Sequence, residues 1–275
     1  MPEYPEVEAL RRSLDEAVRA APVDRAGPMH IATVKTFDPP LTALEGRRLG
    51  GANRRGKHLL FPTEEGDLVL HVHLMSAGRL AWSDPGGKRP AKPAFQLNFA
   101  DGSALVLTEA GAKKRAKVGL FRREAIEEEL AHLGPEAVGL GPERLGEILR
   151  GDSRRLHAAL RDQRLVAGIG RAWDNEILLR AKLSPYALTT ELSDEEVERL
   201  ADAIDEVLAE GLALREAGVK DAKAFKVHKH LGEPCPQCGT PIARVDFEEH
   251  TIFYCPTCQT GGRTLKDRRL SRLLR

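Results

Sequence analysis

The chain has 275 residues, of which 41% are hydrophobic and 30% are charged, so it can bury a core and is expected to be soluble. Its apolar runs are too short to cross a bilayer and its acidic start is unlike a signal peptide, which favours a cytoplasmic protein without a membrane role. The net charge of +1 conceals clusters: residues 108–123 hold six bases against one acid, and residues 191–210 hold nine acids against one base. A basic cluster suits a polyanionic partner, although charge runs are more often solvated faces.

The N-terminal half begins with a predicted helix, which short strands follow. Pro5 and the acids Glu6 and Glu8 suit a helix start, and an apolar stripe extends this helix over Pro5–Val18. Apolar or alternating runs between Gly, Pro and Asp turns predict strands at Ile31–Phe37, His58–Phe61, Leu68–Leu74, Phe95–Phe99 and Ala104–Thr108. Short strands at this spacing predict a β-sandwich or barrel.

A Gly- and Pro-rich stretch at residues 134–142 predicts an interdomain linker, after which the chain becomes helical. The clearest helix is Ser193–Glu210, where Ser193 and Glu196 form a capping box ahead of an apolar face. The other predicted helices are Leu145–Leu149, Arg154–Gln163 and Trp173–Ala181. Strands followed by helices predict an α+β protein with more than one domain.

The four cysteines form two C-x2-C pairs with sixteen residues between them. Two residues between thiolates let both sulfurs face one ion, so this spacing predicts one structural zinc ion in a closed tetrahedral site. Its ligands are Cys235, Cys238, Cys255 and Cys258. Strand-like runs at Ile242–Phe247 and Thr251–Tyr254 place the metal at the base of a β-hairpin. Free cysteines or a redox pair are the alternatives that the spacing disfavours.

The N-terminus carries a second chemical signal, because Met1 is followed by Pro2 and Glu3. Removal of a Met before Pro would expose a secondary amine with a pKa near about 8, which the positive end of the following helix would lower. Such an amine can attack an aldehyde carbon to give an iminium ion, an electron sink for breaking C–O bonds. Glu3 is placed to transfer protons. The plain alternative is a helix start with acids in its first turn.

Several motifs occur in a fixed order after the Pro-Glu-Tyr-Pro-Glu-Val-Glu start. They are Arg54-Arg55-Gly56-Lys57 before a strand, His73-Leu74 before a turn, the stretch Asp162–Gly170 before a helix, and the cysteine hairpin. With this set, which extends to about Gln259, the chain resembles the formamidopyrimidine-DNA glycosylase and endonuclease VIII family.

The resemblance implies an N-terminal β-sandwich with flanking helices and a C-terminal helix–two-turn–helix domain with a β-hairpin zinc finger. The expected boundaries are 1–133 for the catalytic domain, 134–142 for the linker, 143–232 for the helix–two-turn–helix domain, 233–260 for the zinc finger and 261–275 for a basic tail.

The implied activity is base-excision repair by a bifunctional DNA glycosylase and abasic-site lyase, acting as a monomer on double-stranded DNA with an oxidised base or abasic site. Pro2 would form the Schiff base, Glu3 would act as general acid and base, and Lys57 would contact a phosphate and assist catalysis. The base would leave the stack, since neither Pro2 nor Glu3 could otherwise reach the sugar. The implied DNA contacts are His73, Met75, Lys113, Arg115 and Arg171.

Several positions depart from the family pattern. Arg171 replaces the Asn that commonly follows Gly-x-Gly, and Met75 is displaced by one from the usual gap-filling Met. The basic stretch 108–117 lacks the usual aromatic wedge, and His250 replaces an Arg that assists the second elimination. The segment 218–232, which caps the extruded base in some members, is rich in lysine instead.

Two other functions remain open at this point. One is a lesion- or abasic-site-binding protein with little or no base excision, and the other is a zinc-ribbon DNA-binding protein without chemistry. The joint presence of Pro2, Glu3 and Lys57 argues against both. The choice between oxidised purines and oxidised pyrimidines is also open, as is the base required in the opposite strand.

Overall fold

A computed structural model of the chain describes residues 1–28, 30–111, 113–219, 221–247 and 250–266. The chain divides into two compact units, Met1–His132 and Leu133–Arg275. Within the described ranges, no helix is both long enough and apolar enough to span a membrane.

The first unit begins with helix α1, which covers Tyr4–Asp15 and is followed by a 3-10 turn at Ala17–Arg19. Glu3 precedes the helix as its N-cap: the Glu6 carboxylate accepts a hydrogen bond from the Glu3 N–H at 2.8 Å, and the Glu3 carboxylate accepts one from the Glu6 N–H. This reciprocal pair satisfies two of the N–H groups that a helix start leaves without partners. The predicted helix Pro5–Val18 is correct in place, but its last turn is 3-10.

The described strands of this unit form two antiparallel sheets of four strands each. They are β1 (Val23–Pro28), β2 (Asn53–Arg55), β3 (His58–Pro62), β4 (Leu68–His73), β5 (Gly78–Ser83), β6 (Phe95–Phe99), β7 (Ala104–Glu109) and β8 (Lys117–Arg122). The strand orders are β1-β6-β7-β5 and β2-β3-β4-β8. Their apolar side chains form one core, to which α1 contributes Val7 and Leu14. Helix α2 (Arg123–Leu130) follows β8.

The predicted strand Ile31–Phe37 is wrong. Ile31–Thr33 is a 3-10 turn, and Val34 makes only an isolated bridge to Val118 of β8. Both end residues of the predicted range are 76% exposed, and only the middle of the range, at Thr33 and Val34, faces the core. Conversely, β1, β5 and β8 escaped the sequence analysis because each mixes charged residues or glycine with its apolar ones, and β2 escaped it because its three residues are all polar.

The second unit is mostly helical. Its elements are α3 (Pro142–Arg150), α4 (Leu156–Arg161), α5 (Arg171–Arg180), α6 (Asp194–Glu216), α7 (Asp221–Ala224), the hairpin of β9 (Ala243–Phe247) and β10 (His250–Tyr254), and α8 (Pro256–Thr260). The capping box before α6 is confirmed: Ser193 Oγ accepts from the Glu196 N–H at 3.2 Å, and Glu196 Oε2 accepts from the Ser193 N–H at 3.0 Å. The predicted helices before it are all present, with bounds that shift by one to three residues.

Helices α5 and α6 meet where Trp173, only 2% exposed, lies against Gly211. A Cβ atom on Gly211 would lie 2.5 Å from the indole Cη2 atom, closer than real side chains approach. Glycine is therefore required here by the close packing of the indole on the helix backbone, and the indole cannot move aside because its edge contacts Phe225 at 4.9 Å between ring centroids.

We expect Gly211→Ala to destabilise the protein by about 1 to 3 kcal/mol, because the added methyl group overlaps a rigid ring in a filled core. The matched control is Gly146→Ala in α3, where the nearest atoms would lie 3.4 Å from the new Cβ. That variant should be neutral or gain up to about 1 kcal/mol, since alanine is the better helix former. Urea unfolding measures both, and equal stabilities would contradict the packing argument.

Candidate active site and zinc centre

Lys57 lies in the two-residue turn of the hairpin that joins β2 to β3. Arg55 and His58 are paired across this turn, and Gly56 has φ +55°, in the left-handed region that favours glycine. Lys57 is only 5% exposed. It is therefore held within the unit and is not an ordinary solvated surface lysine, which would keep its ammonium group in water.

Arg54 joins the start of α1 to this lysine turn. Its guanidinium carbon lies 4.5 Å from the centroid of the Tyr4 ring. The same group donates hydrogen bonds to Glu8 Oε2 at 3.1 Å and to the carbonyl of Gly56 at 2.8 Å. Two of these partners lie on α1 and the third in the turn, so a single planar side chain fixes the N-terminal segment against the segment that carries the lysine.

Glu8 is the carboxylate on which this arrangement converges. It is 7% exposed and also pairs with Arg11 and Arg12, each at 2.9 Å. Burial by itself would raise the pKa of Glu8, but hydrogen bonds from Arg11, Arg12 and Arg54 outweigh burial and hold its pKa at about 2. The carboxylate is therefore ionised at every pH at which the protein works.

The N-terminal residues lie at the positive end of α1. Met1 is 53% exposed, Pro2 is half-buried and Glu3 is 4% exposed. The helix dipole at this end lowers the pKa of a nearby amine, because it disfavours a second positive charge. A Pro2 amine would thus have more of its neutral, nucleophilic form at neutral pH.

Three histidines lie on the face of β3 and β4 that is opposite to the apolar core. His58 Nδ1 is 2.8 Å from His71 Nε2, and the ring centroids of His58 and His73 are 4.4 Å apart. Burial, then neighbouring positive groups that include Lys117 and, for His73, Lys57, lower the pKa of His58 to about 2, of His71 to about 3 and of His73 to about 4. All three are consequently neutral at neutral pH, and the fixed positive charge of this region comes from lysines.

Two of the predicted DNA contacts lie together at the end of β4. His73 Nδ1 is 2.9 Å from Met75 Sδ. Met75 has φ +51°, a backbone conformation that costs free energy for any residue with a side chain and is more common at functional sites. The methionine that is displaced along the sequence therefore lies in a left-handed turn just after β4.

The basic loop between β7 and β8 is shaped by Glu109, which is 6% exposed. Its carboxylate accepts hydrogen bonds from the N–H groups of Arg115 at 2.8 Å and Ala116 at 3.0 Å. Lys114 Nζ donates to two loop carbonyls, at 2.6 Å and 2.8 Å. Lys113 and Arg115 are exposed and extend from the loop. The predicted contacts are therefore available to a phosphate, while Lys114 serves the loop itself.

In the second unit, the turn before α5 is held by Gln163. Its amide nitrogen donates to the carbonyl of Ile169 at 2.8 Å, and its oxygen accepts from the N–H of Gly168 at 3.0 Å. Gly168 has φ +108°, which a larger residue would adopt only with strain. Arg171 follows as the exposed first residue of α5, at a helix end where N–H groups and the dipole favour an anion.

The four cysteine sulfurs converge, and all lie within 4.8 Å of one another. The Sγ atoms of Cys238 and Cys255 are 3.5 Å apart, and those of Cys235 and Cys258 are 4.0 Å apart. Zn–S bonds of about 2.3 Å in a tetrahedron require S–S separations of about 3.8 Å, so the set fits zinc. His250 begins β10 opposite Phe247, and its role in the second elimination stays a prediction.

The chain combines an N-terminal Pro-Glu ahead of a helix, a buried lysine in a hairpin turn of a β-sandwich, a helical unit and a four-cysteine hairpin. These features together define the class of zinc-finger DNA glycosylases. Residues 1–133 match the formamidopyrimidine-DNA glycosylase N-terminal domain, residues 133–223 match the H2TH domain of that enzyme, and residues 232–261 match the zinc finger found in FPG and IleRS.

Known proteins resemble the chain over nearly its whole length. The formamidopyrimidine-DNA glycosylase of Desulfitobacterium hafniense is 32% identical over 279 residues, which cover 94% of this chain and 100% of that one. The crystal structure of the Lactococcus lactis enzyme bound non-covalently to DNA containing an AP site has a TM-score of 0.84 at 26% identity, covering 94% of this chain and 99% of that chain. A complex of that enzyme with DNA containing an oxidised pyrimidine has a TM-score of 0.85 at 26% identity, covering 94% and 100%.

The chain belongs to the formamidopyrimidine-DNA glycosylase family. It is a base-excision-repair DNA glycosylase with the abasic-site lyase activity of that family, and its zinc finger holds one structural zinc ion. The predictions of family, fold class, enzyme class and zinc are confirmed. The contacts of Arg54 with Glu8, and the hydrogen bond between His58 and His71, were not predicted. The spacing of Glu8 to Arg11 and Arg12 signalled only the pairs within α1, and no local pattern signals a contact between residues 46 apart in the chain.

We expect Glu8→Gln to lower the free energy of unfolding by about 3 kcal/mol at neutral pH, because the native state loses a carboxylate that three guanidinium groups stabilise. The pKa of Glu8 is depressed in the folded state, so its contribution is complete above its ordinary value of 4.5 and disappears as the pH falls to about 2. The gap between wild type and variant should therefore narrow over this range. Urea unfolding at several pH values measures it, with the exposed Glu16→Gln as control, and a gap that does not vary with pH would contradict the assignment.

Proposed function

We propose that the amine of Pro2, exposed by removal of Met1, is the nucleophile that attacks C1′ of a damaged nucleotide extruded from duplex DNA. The observation that supports this most directly is the contact of Arg54 with α1 and with the lysine turn, which holds the N-terminal segment against a buried lysine. A nucleophile gains most when it is held close to the groups that assist it.

In the proposed reaction the Pro2 nitrogen forms a bond to C1′, and the damaged base leaves with the electrons of the glycosidic bond and takes up the proton that the Pro2 nitrogen loses. Glu3 protonates the ring oxygen as the C1′–O4′ bond breaks, which leaves an iminium ion between nitrogen and C1′. Loss of a proton from C2′ then expels the 3′ phosphate. A second elimination expels the 5′ phosphate, and water hydrolyses the imine to free Pro2.

In this proposal the phosphates are held by lysine and arginine side chains. Lys57 serves a phosphate next to the reacting sugar, where its low exposure strengthens the attraction. Lys113, Arg115 and Arg171 are exposed and would bind the backbone farther away. His73 is neutral at neutral pH and would act as a hydrogen-bonding group.

Two further residues complete the proposed site. Met75, in its left-handed turn, would fill the gap that the extruded base leaves in the stack. His250, in its protonated form, would assist departure of the 5′ phosphate. The proposed substrate class is oxidised bases, which the complex of the Lactococcus lactis enzyme with an oxidised pyrimidine supports. Since one chain supplies every proposed group, we propose that a monomer acts on nucleoid DNA in the cytoplasm.

We expect Pro2→Gly, and a chain in which Met1 is retained, to lose most borohydride trapping on DNA with an abasic site. Glycine supplies a primary amine in place of the secondary one, and Met1 blocks the nitrogen altogether. The measurement is the amount of covalent protein–DNA adduct, with Met1 removal checked by mass spectrometry. Full trapping by protein that still carries Met1 would exclude Pro2 as the nucleophile, and absence of trapping by wild type would support a binding protein instead.

We expect Glu3→Gln to reduce base excision by about a hundredfold or more, since a general acid contributes on the order of 10²–10⁴ in rate. Cleavage of a preformed abasic site should decrease much less, because that substrate already offers an aldehyde. Single-turnover assays on a lesion duplex and an abasic duplex measure the two rates. In this variant the N–H of residue 3 can still donate to the Glu6 carboxylate, so the helix start is kept. Equal losses of rate on both substrates would show that Glu3 does not have this divided role.

A further inference from the structure

We propose that Asn175 is a positioning residue that couples Arg171 to the zinc hairpin, so that the two elements bind DNA as one unit. The proposal rests on the proposed function, in which Arg171 contacts a phosphate. It concerns the second unit only, and all of its contacts lie among described residues.

The side chain of Asn175 has a partner at each end. It lies on α5 and is 2% exposed. Its Nδ2 atom donates to the carbonyl of Arg171, one turn earlier in the helix. Its Oδ1 atom accepts a hydrogen bond from the N–H of Phe253 at 2.6 Å. Phe253 lies within β10, so one buried amide connects the first turn of α5 to the zinc hairpin.

An amide is the group that this position requires. It offers a donor and an acceptor at once, whereas a carboxylate of the same shape accepts only. Asparagine is a poor residue for the interior of a helix, so helix formation does not explain its presence. Because the amide is buried, losing either partner would leave a polar group without compensation, which keeps both segments in a single arrangement.

A second buried amide connects the hairpin base to the segment that follows α5. Gln259 is 5% exposed, donates to the carbonyl of Leu183 at 2.9 Å and accepts from the N–H of Cys255 at 2.8 Å. It resembles Asn175 in burial and in having one donor and one acceptor bond. Its helical-unit partner, however, follows the C-terminal end of α5, whereas the partner of Asn175 is Arg171 itself. The two residues thus form a matched pair.

The neighbouring residue extends the same organisation. The Glu176 carboxylate is 7% exposed and accepts hydrogen bonds from the N–H groups of Lys226, Val227 and His228 at 3.0, 3.0 and 2.8 Å. The ring of His228 lies edge-on to Phe253, with centroids 5.5 Å apart. One turn of α5 therefore contacts both the hairpin and residues 226–228 of the lysine-rich segment.

A double-mutant cycle tests the coupling. Arg171→Ala should weaken binding to a duplex with a reduced abasic-site analogue by about tenfold and lower the salt slope by about one unit. Asn175→Asp keeps an acceptor for Phe253 but sets a carboxylate against the Arg171 carbonyl, so it should weaken binding several-fold and lower the slope in the same way. The double variant should bind DNA no more weakly than Arg171→Ala alone, because both substitutions remove the same phosphate contact.

Gln259→Glu is the matched control, since it makes the same chemical change at the other buried amide. The salt slope of this variant should equal that of wild type. When it is combined with Arg171→Ala, the two fold-losses of DNA affinity should multiply. Zinc analysis should give one ion per chain for Asn175→Asp. If that variant loses zinc, Asn175→Ser, which removes the amide without adding charge, enters the same cycle under the same criterion.

If the fold-losses of DNA affinity from Asn175→Asp and Arg171→Ala multiplied in the double variant, the coupling would be overturned. The coupling would also be overturned if Gln259→Glu weakened DNA binding but caused no further loss of affinity when combined with Arg171→Ala. The effect would then belong to the hairpin in general and not to Asn175. Unchanged affinity and salt slope for Arg171→Ala would instead overturn the proposed phosphate contact. Imine trapping by wild type reports on the chemistry at Pro2 and is independent of all these outcomes.

Discussion

The contact between Glu8 and Arg54 is the constraint on which the first unit depends. Glu8 belongs to the helix that Pro2 and Glu3 precede, and Arg54 also contacts the Tyr4 ring and the carbonyl of the lysine turn. A buried carboxylate that loses a guanidinium leaves an unpaired charge, so the pair resists rearrangement even where its net contribution to stability is modest. Its value is geometric: two segments fifty residues apart in the chain are kept in contact. Groups that must act on one sugar need such fixed separations.

In the second unit, a metal ion and buried amide side chains together order the hairpin and fix it against the helices. A hairpin of this size buries too little apolar surface to fold by itself, and zinc supplies the missing free energy. The metal orders the hairpin internally but does not orient it. That task belongs to buried amides, Asn175 and Gln259, which donate to helix and loop carbonyls and accept from hairpin N–H groups. Metal and amides are therefore complementary.

Charge in the first unit suits an anionic substrate, and the three histidines on β3 and β4 contribute none of it at neutral pH. Burial and nearby lysines keep His58, His71 and His73 neutral, so hydrogen bonding replaces charge along this strand face. The basic loop is ordered by the buried Glu109, which explains how a cluster of like charges can adopt one conformation. Residues 108–117 include no aromatic residue, so the long side chains that this loop exposes are charged ones.

The sequence alone determined the features that depend on local chemistry. The cysteine spacing specified a zinc site because the knuckle geometry is set within four residues. The capping box at Ser193 and Glu196 is likewise local. Tertiary structure decided whatever depends on residues distant in the chain. Ile31–Phe37 reads as a strand, yet Ile31–Thr33 forms a 3-10 turn and both end residues of the range are exposed. The motif around Lys57 marked it as a site residue but did not specify its burial, which accompanies the contacts of Arg54 with α1 and with the lysine turn. Burial and pKa are set by neighbours brought together in space, and local sequence patterns do not specify those neighbours.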